Sequence, residues 1–411
     1  MTDETFELTV STMASGGRAL GRHDKKTVFV PYTIPGETII ARVVQDKGRV
    51  LFAEGVQLVE ASADRVFPAC PHFGPGRCDG CQWQHIAYSA QALIKQDVLA
   101  DQLARVGGFD DADVRDIIPS PTEWGYRHHM TFQRTATGWA VAGHHPHTLD
   151  VCHILHPDLV DLLARADLEA EAIHTITLQI GTDGDHMLML HLVDEDDAPE
   201  LSSDLKTSVN LLLPDDEPVN LIGDTHSRYQ INGRAVRVTA GSPLRPNVAA
   251  LGALAECVAA QVPEDGAALD LYAGVGLFGL FIAPRVPVLT LVTAYPPAAT
   301  DAEHNLAEYD HVDIIEGDAL DVLDVLDDAQ TTYQTAVIDT PAGGLDVALV
   351  DALAESGIPR LVVIGDDPAL LARDLGRLVK QGYTLGAVYP FDLEPQTHHV
   401  SAVAVLDRGS A

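Results

Sequence analysis

Cys70, Cys78 and Cys81 stand in a C-x7-C-x2-C pattern, and Cys152 follows at a distance. Four soft thiolates make a complete ligand set for zinc or for an iron–sulfur cluster, so the fold must bring Cys152 to the 70–81 segment if the four are to share a centre. Four of the five cysteines belong to this set, which leaves only Cys257 for thiol chemistry elsewhere. The spacing is metal-like rather than disulfide-like and fits a reducing interior.

With 411 residues the chain is long for one domain, and 46% apolar residues suffice for several cores. The formal charge is −34, and lysine is confined to Lys25, Lys26, Lys47, Lys95, Lys206 and Lys380. Such a surface repels polyanions, and a non-specific nucleic-acid binder is normally basic. Adaptation to a salt-rich cytoplasm, where screening shortens every repulsion, is the simpler account of the acidity. The segment MTDETFELTV lacks a charged-then-apolar signal region, and no run reaches the roughly 18 apolar residues of a spanning helix. A cytoplasmic protein is expected.

Residues 1–60 alternate apolar and polar, with turns at Gly16-Gly17 and Pro35-Gly36, and predict about five short strands in a small β-barrel. Such barrels often bind single-stranded nucleic acid, although a pure packing module reads the same way. Residues 61–106 hold the clustered cysteines and a helical run, HIAYSAQALIKQDVLADQLARV. A β-rich region follows over 107–245, supplying Cys152 and ending in strands through RYQINGRAVRVTAG. Asp194–Glu200 and Pro214–Glu217 read as surface loops or insertions. From 246 to 411 strands alternate with helices, which predicts a mostly parallel, Rossmann-like sheet with ligands at the strand C-terminal ends.

Gly274-Val275-Gly276-Leu277-Phe278-Gly279 satisfies G-x-G-x-x-G between a predicted strand and helix. Alone this is weak, and a dinucleotide-linked oxidoreductase rests on nothing else. The acid that would hold a ribose about twenty residues on is missing: the next strand ends in Thr293-Ala294-Tyr295, with no acid until Asp301. Asp270, just before the glycines in DLYAGVG, suits S-adenosylmethionine better. Asp318 could meet an adenine amine and Asp339 could line the methionine end.

CPHFGPGRCDGCQWQHIAYSAQALIKQDVL, DLYAGVGLFGL and DPALLARDLGRLVKQGYTLGAVYPFDLEPQTHHV together resemble the RNA (uracil-C5-)methyltransferases, which act on rRNA or tRNA. The resemblance covers nearly the whole chain in order. It implies an OB-like TRAM barrel, a [4Fe–4S] cluster on Cys70, Cys78, Cys81 and Cys152 that positions RNA, a central β domain, and an S-adenosylmethionine-dependent methyltransferase domain. It also implies cofactor contacts at Asp270, Tyr272, Gly274, Gly276, Asp318 and Asp339. Arg127, in WGYRHH, matches a family arginine that meets RNA, although a buried structural arginine reads the same way. A monomer is expected.

The same resemblance exposes losses. C5 of uracil is a poor nucleophile, and the family activates it by adding a cysteine thiolate to C6 and then removing the C5 proton with a carboxylate. The thiol's motif reads Gly365-Asp366-Asp367-Pro368 here, so Asp366 stands where the nucleophile belongs. Ser401 stands where the glutamate base belongs, after Pro395, Gln396 and Thr397; His398 and His399 lie nearby and could titrate near neutrality. The D-P-P-R-x-G motif reads Asp339-Thr340-Pro341-Ala342-Gly343-Gly344 and has lost its arginine. The Phe-Gln segment has become Ser242-Pro243-Leu244-Arg245-Pro246-Asn247, and Thr293 replaces the ribose-binding glutamate. Cys257 reads as core packing. The expectation is an RNA-binding member of the family without uracil C5 methylation. The alternative is an active enzyme with another mechanism or target atom, such as an exocyclic amine that Asp366 could orient.

Overall fold

The computed structural model describes residues 5–143, 145–165, 173–193, 206–215, 217–327 and 331–409. The expected loop at 194–200 lies outside the described residues, whereas Pro214 and Asp215 do form a turn. Strands Thr5–Met13, Ala19–His23, Lys26–Val30, Thr38–Asp46 and Val50–Glu60 close into the expected barrel. Their alternation puts Leu8, Val10, Val28, Val30, Ile39, Ala41 and Leu51 inside, where Trp83, Ile86 and Val98 of the following segment join them. The barrel therefore shares its core with the cysteine segment and with the helix Tyr88–Gln102.

That helix has no side-chain cap, and its buried residues include three polar ones, Gln91, Lys95 and Gln102. Lys95 is fully buried and donates 2.6 Å to Asp392 and 2.9 Å to the Glu394 carbonyl. Gln91 donates to Gln396 Oε1 and accepts from the Gln396 amide. The helix is thus fixed to the loop 391–397 at the far end of the chain by buried polar contacts as much as by apolar packing.

The central region is a six-stranded sheet in the order Pro218–Ile222, Thr207–Leu212, His186–His191, Thr175–Ile180, His129–Thr135, Gly138–Val141. Met130, Phe132, Ile176, Leu178, Leu188 and Leu190 pack with the helix Pro157–Arg165. The opposite face carries His129, Thr131, Thr177, Gln179 and His191, which line a cleft. Read from sequence as the last strands of this region, His226–Ile231 and Arg234–Thr239 instead form a separate two-stranded ribbon. Tyr229, Ile231, Val236 and Val238 send the ribbon's apolar face into the core of the C-terminal unit.

The C-terminal unit is built on an eight-stranded sheet in the order 312–316, 289–293, 267–271, 333–339, 360–365, 401–408, 383–391, 113–114. The first five pair in parallel and the strand 401–408 is antiparallel to both neighbours. Helices on both faces bury two apolar layers, as strands that read as near-continuous Val, Ile, Leu and Ala require. This is the mostly parallel, Rossmann-like sheet that the alternation predicts. Among the described residues no helix is long and apolar enough to cross a membrane.

Candidate functional site

A cavity of about 810 Å³ opens where the C-terminal ends of strands 267–271 and 333–339 face the polar side of the central sheet. Its floor is the turn after Leu271. Tyr272 (φ 59°), Gly274 (φ 54°) and Gly276 (φ 79°) all adopt left-handed backbone there, which is costly for a tyrosine and marks a turn held by its surroundings. The glycines divide their labour. A Cβ at Gly276 or Gly279 would come within 3.0 Å of Leu306 or 2.9 Å of Leu291, so these two let the helix Leu277–Ile282 pack closely. Only Gly274 presents its backbone to open space beside Pro243.

Asp270 lies behind this turn, fully buried, with neither carboxylate oxygen hydrogen-bonded. Burial, and then the charge on Asp339, raise its pKa well above the ordinary carboxylate value. Asp339 and Tyr272 line the cavity; Asp318 is exposed and outside it, accepting from the Leu320 amide at the start of the helix Ala319–Asp327. Thr293 is buried. Asp301, the first acid after it, is fully buried and accepts from the Thr239 amide, the Thr239 hydroxyl and Ser242, with Arg237 3.1 Å away. Asp301 therefore fastens the ribbon to the helix Pro296–Asn305 and is closed to a ribose.

Asp366 and Ser401, far apart in sequence, meet in space: Ser401 Oγ donates 2.6 Å to Asp366 Oδ1. Arg245 completes the group. Its Nη atoms donate 2.7 and 2.6 Å to the two oxygens of Asp339, and its Nε donates 3.1 Å to Asp366 Oδ2. Burial works against the Arg245 charge, but Asp339 and then Asp366 more than offset it, and the guanidinium stays protonated. Bidentate pairing of this kind fixes geometry as well as charge.

The four cysteines also converge. Cys70, Cys78, Cys81 and Cys152 line one small cavity with Gln84, His72 and Arg127. Burial raises each thiol's pKa, to about 11 at Cys78, and neighbouring thiols add to it at Cys78, Cys81 and Cys152; Arg127 opposes the shift at Cys152. Among the described residues, no His, Cys, Asp or Glu group is gathered closely enough to hold a single metal ion. Arg127 pairs with Glu394 at 3.5 Å and is largely buried, which gives it a structural place beside the thiols. Cys257 sits on the helix Val248–Ala260 against the C-terminal core, away from both cavities. His398 packs on Gly17 of the barrel and contacts Gln82, and burial lowers its pKa to about 4, so it stays neutral at pH 7.

The TRAM domain family matches residues 1–56. A protein of Streptomyces avermitilis named as an uncharacterized RNA methyltransferase is 31% identical, across 98% of both chains. The chain belongs to this RNA methyltransferase family. A second member, from Streptomyces coelicolor, is 32% identical over 98% of this chain and 93% of its own. The crystal structure of the Pyrococcus abyssi tRNA (uracil-54, C5)-methyltransferase in complex with S-adenosyl-L-homocysteine superposes with a TM-score of 0.72, covering 97% of this chain and 100% of that one. At 21% identity this likeness is one of fold.

Within this methyltransferase family fold, the sequence points to Asp366, Ser401, Asp270, Tyr272, Gly274 and Asp339, and the structure gathers all six at or behind one cleft. It sets Asp318 outside. Two contributions are not assigned from sequence. One is the clamp by Arg245, visible only as a changed motif. The other is the polar wall of the central sheet, where Thr131 and Thr177 hydroxyls lie 2.7 Å apart and His191 Nε2 lies 2.8 Å from Thr177. The period-two run Thr175, Thr177, Gln179 beside Ile176, Leu178, Ile180 is the signal that could have found it.

Proposed function

We propose that this chain is an RNA-binding member of the RNA (uracil-C5-)methyltransferase family in which the covalent route to C5 is closed. The observation that carries this reading is the engagement of Asp366 by Arg245 and Ser401. A carboxylate is a far weaker donor to a pyrimidine ring than a thiolate. One already paired with a guanidinium and a hydroxyl is weaker still, and a serine beside it has no means of taking the C5 proton at neutral pH. With purified protein, S-adenosylmethionine and tRNA or rRNA transcripts, nucleoside mass spectrometry is expected to find no ribothymidine. Its appearance would overturn the reading. A different methylated nucleoside would favour the active alternative, in which the open cavity and Asp366 serve another atom of the base.

S-Adenosylmethionine fits the cleft in chemistry: it would supply an electrophilic methyl, and its ammonium and sulfonium charges suit a site bounded by Asp339 with buried Asp270 behind. The Tyr272–Val275 backbone and Tyr295 would border it. Thr293 offers no ribose clamp, so weak binding is expected. The family's [4Fe–4S] cluster would be held by the four thiols that line this cavity, since soft thiolates suit iron–sulfur centres. Its role would be structural, holding Cys152 of the central region to the 70–81 segment. Anaerobically purified protein is expected to be brown from thiolate-to-iron charge transfer, and chelation of the iron should bleach it and lower its thermal stability. Colourless protein with stoichiometric zinc overturns the cluster.

A further inference from the structure

The cleft-facing side of the central sheet repeats one chemistry from strand to strand. His129 stands opposite Gln179 and Thr131 opposite Thr177, with Met189 beside Thr177 on the next strand. All five line the cavity, as does His191. Thr177 is buried, at a strand position that valine would fill without needing a partner. Its hydroxyl is instead part of a chain. The Thr131 and Thr177 hydroxyls share a hydrogen bond of 2.7 Å, and His191 Nε2 lies 2.8 Å from the Thr177 hydroxyl. Buried Gln179 is anchored next to them, donating 3.0 Å to Ser227 Oγ. A hydroxyl offers one donor and two acceptor sites, so the chain does not consume itself, and hydrogen-bonding capacity is left at its Thr131 end.

Charge divides the cavity. Its charged lining is Arg245 with Asp339 and Asp366, and these three are paired with one another. The wall supplied by the central sheet has no carboxylate, lysine or arginine, in a chain of formal charge −34. Burial, and then Arg127 and His128, lower the pKa of His129 to about 4, so this imidazole is uncharged at pH 7. Leu212, Leu244, Leu277 and Phe278 add apolar lining. The volume of about 810 Å³ lies high in the roughly 300–1,000 Å³ range of small-molecule sites, which leaves room beside a methyl donor. Whatever meets this wall must be uncharged, with hydrogen-bonding groups along an edge and apolar faces. A nucleobase has that form. A phosphate does not, because the wall holds no cation to meet its charge.

We propose that the Thr131–Thr177–His191 chain reads the edge of an unpaired nucleobase in this cleft, so that the central sheet sets the base preference of the protein. This rests on the RNA-binding reading above. The test uses the full chain and fluorescence anisotropy over a KCl series, comparing labelled short oligomers of uridine, cytidine or adenosine with a base-free ribose-phosphate oligomer of the same length. The parent is expected to prefer a base-bearing oligomer. Thr131→Val/Thr177→Val removes both hydroxyls at nearly constant volume and should bind that oligomer about tenfold more weakly. Its affinity for the base-free oligomer should match the parent's, as should its slope of log K against log salt, since no phosphate contact is lost. Thr131→Ser/Thr177→Ser keeps the hydroxyls and should keep the preference. A packing role predicts the reverse order, because valine fills the site and serine leaves a methyl-sized gap. Should the double valine variant not fold, Thr131→Val alone leaves Thr177 on His191 and should weaken base binding in the same direction. A folded valine variant with the parent's preference, or a loss that falls equally on the base-free oligomer, overturns the proposal, as does a parent with no preference. A parent chain that binds none of the oligomers at any salt overturns the RNA reading itself.

Discussion

Lys95→Met is expected to cost about 3–5 kcal/mol of unfolding free energy, because it strands a buried carboxylate without its cation. Lys95 and Asp392 have no exposed side-chain surface, and the second oxygen of Asp392 has no partner. Water cannot enter to compensate, and salt screens a pair at this depth weakly. The loss also releases the helix Tyr88–Gln102 from the loop 391–397, one of the ties between the barrel side of the molecule and the C-terminal sheet. Urea unfolding at fixed salt measures it. Lys95→Met/Asp392→Asn should recover most of the stability, since asparagine still accepts from the Glu394 amide and carries no charge. A cost below about 1 kcal/mol for the single change would mean the pair does not hold these parts together.

The second large effect is chemical. Asp366→Cys/Ser401→Glu is expected to form a covalent adduct with 5-fluorouridine-containing RNA, where the parent forms none. Two distances support this expectation. Ser401 Oγ and Asp366 Oδ1 are 2.6 Å apart, so a thiol and a carboxylate at these positions fall within reach of one base. Arg245, held to Asp339 by two bonds, remains beside position 366 and would favour the thiolate. A denaturing gel reads the adduct directly. A folded, RNA-binding double variant that forms no adduct would show that the closed chemistry lies elsewhere in the cleft. An adduct in the parent would show that it is not closed.

How far the sequence reached depended on the range of the signal. Barrel strands, the cysteine set and the turn Asp270–Gly276 are local patterns, and local sterics and alternation decide them. Asp366 and Ser401 stand out from the resemblance because each sits in a short motif. The ribbon 226–239 was misplaced because its alternation says only that one face is buried, not which core receives it; Tyr229 and Val236 pack on the C-terminal helices. The surroundings of Asp301 and Asp318 were hidden from the sequence for the same reason. An acid's role depends on what surrounds it, and Asp301 is consumed by Thr239, Ser242 and Arg237 while Asp318 caps a helix.

The sequence alone determined the family, the order of barrel, cysteine segment, central sheet and Rossmann-like unit, and which groups stand at the positions the resemblance gives to nucleophile and base. These are written in runs of neighbouring residues. Only the tertiary structure decided that Arg245 would bridge Asp339 and Asp366, that Lys95 would be buried against Asp392, and that Arg228 and Arg237 would face each other across one ribbon. Each of those joins charges across separate elements, and the energy of a charge is set by its distance to its partners and by the water between them.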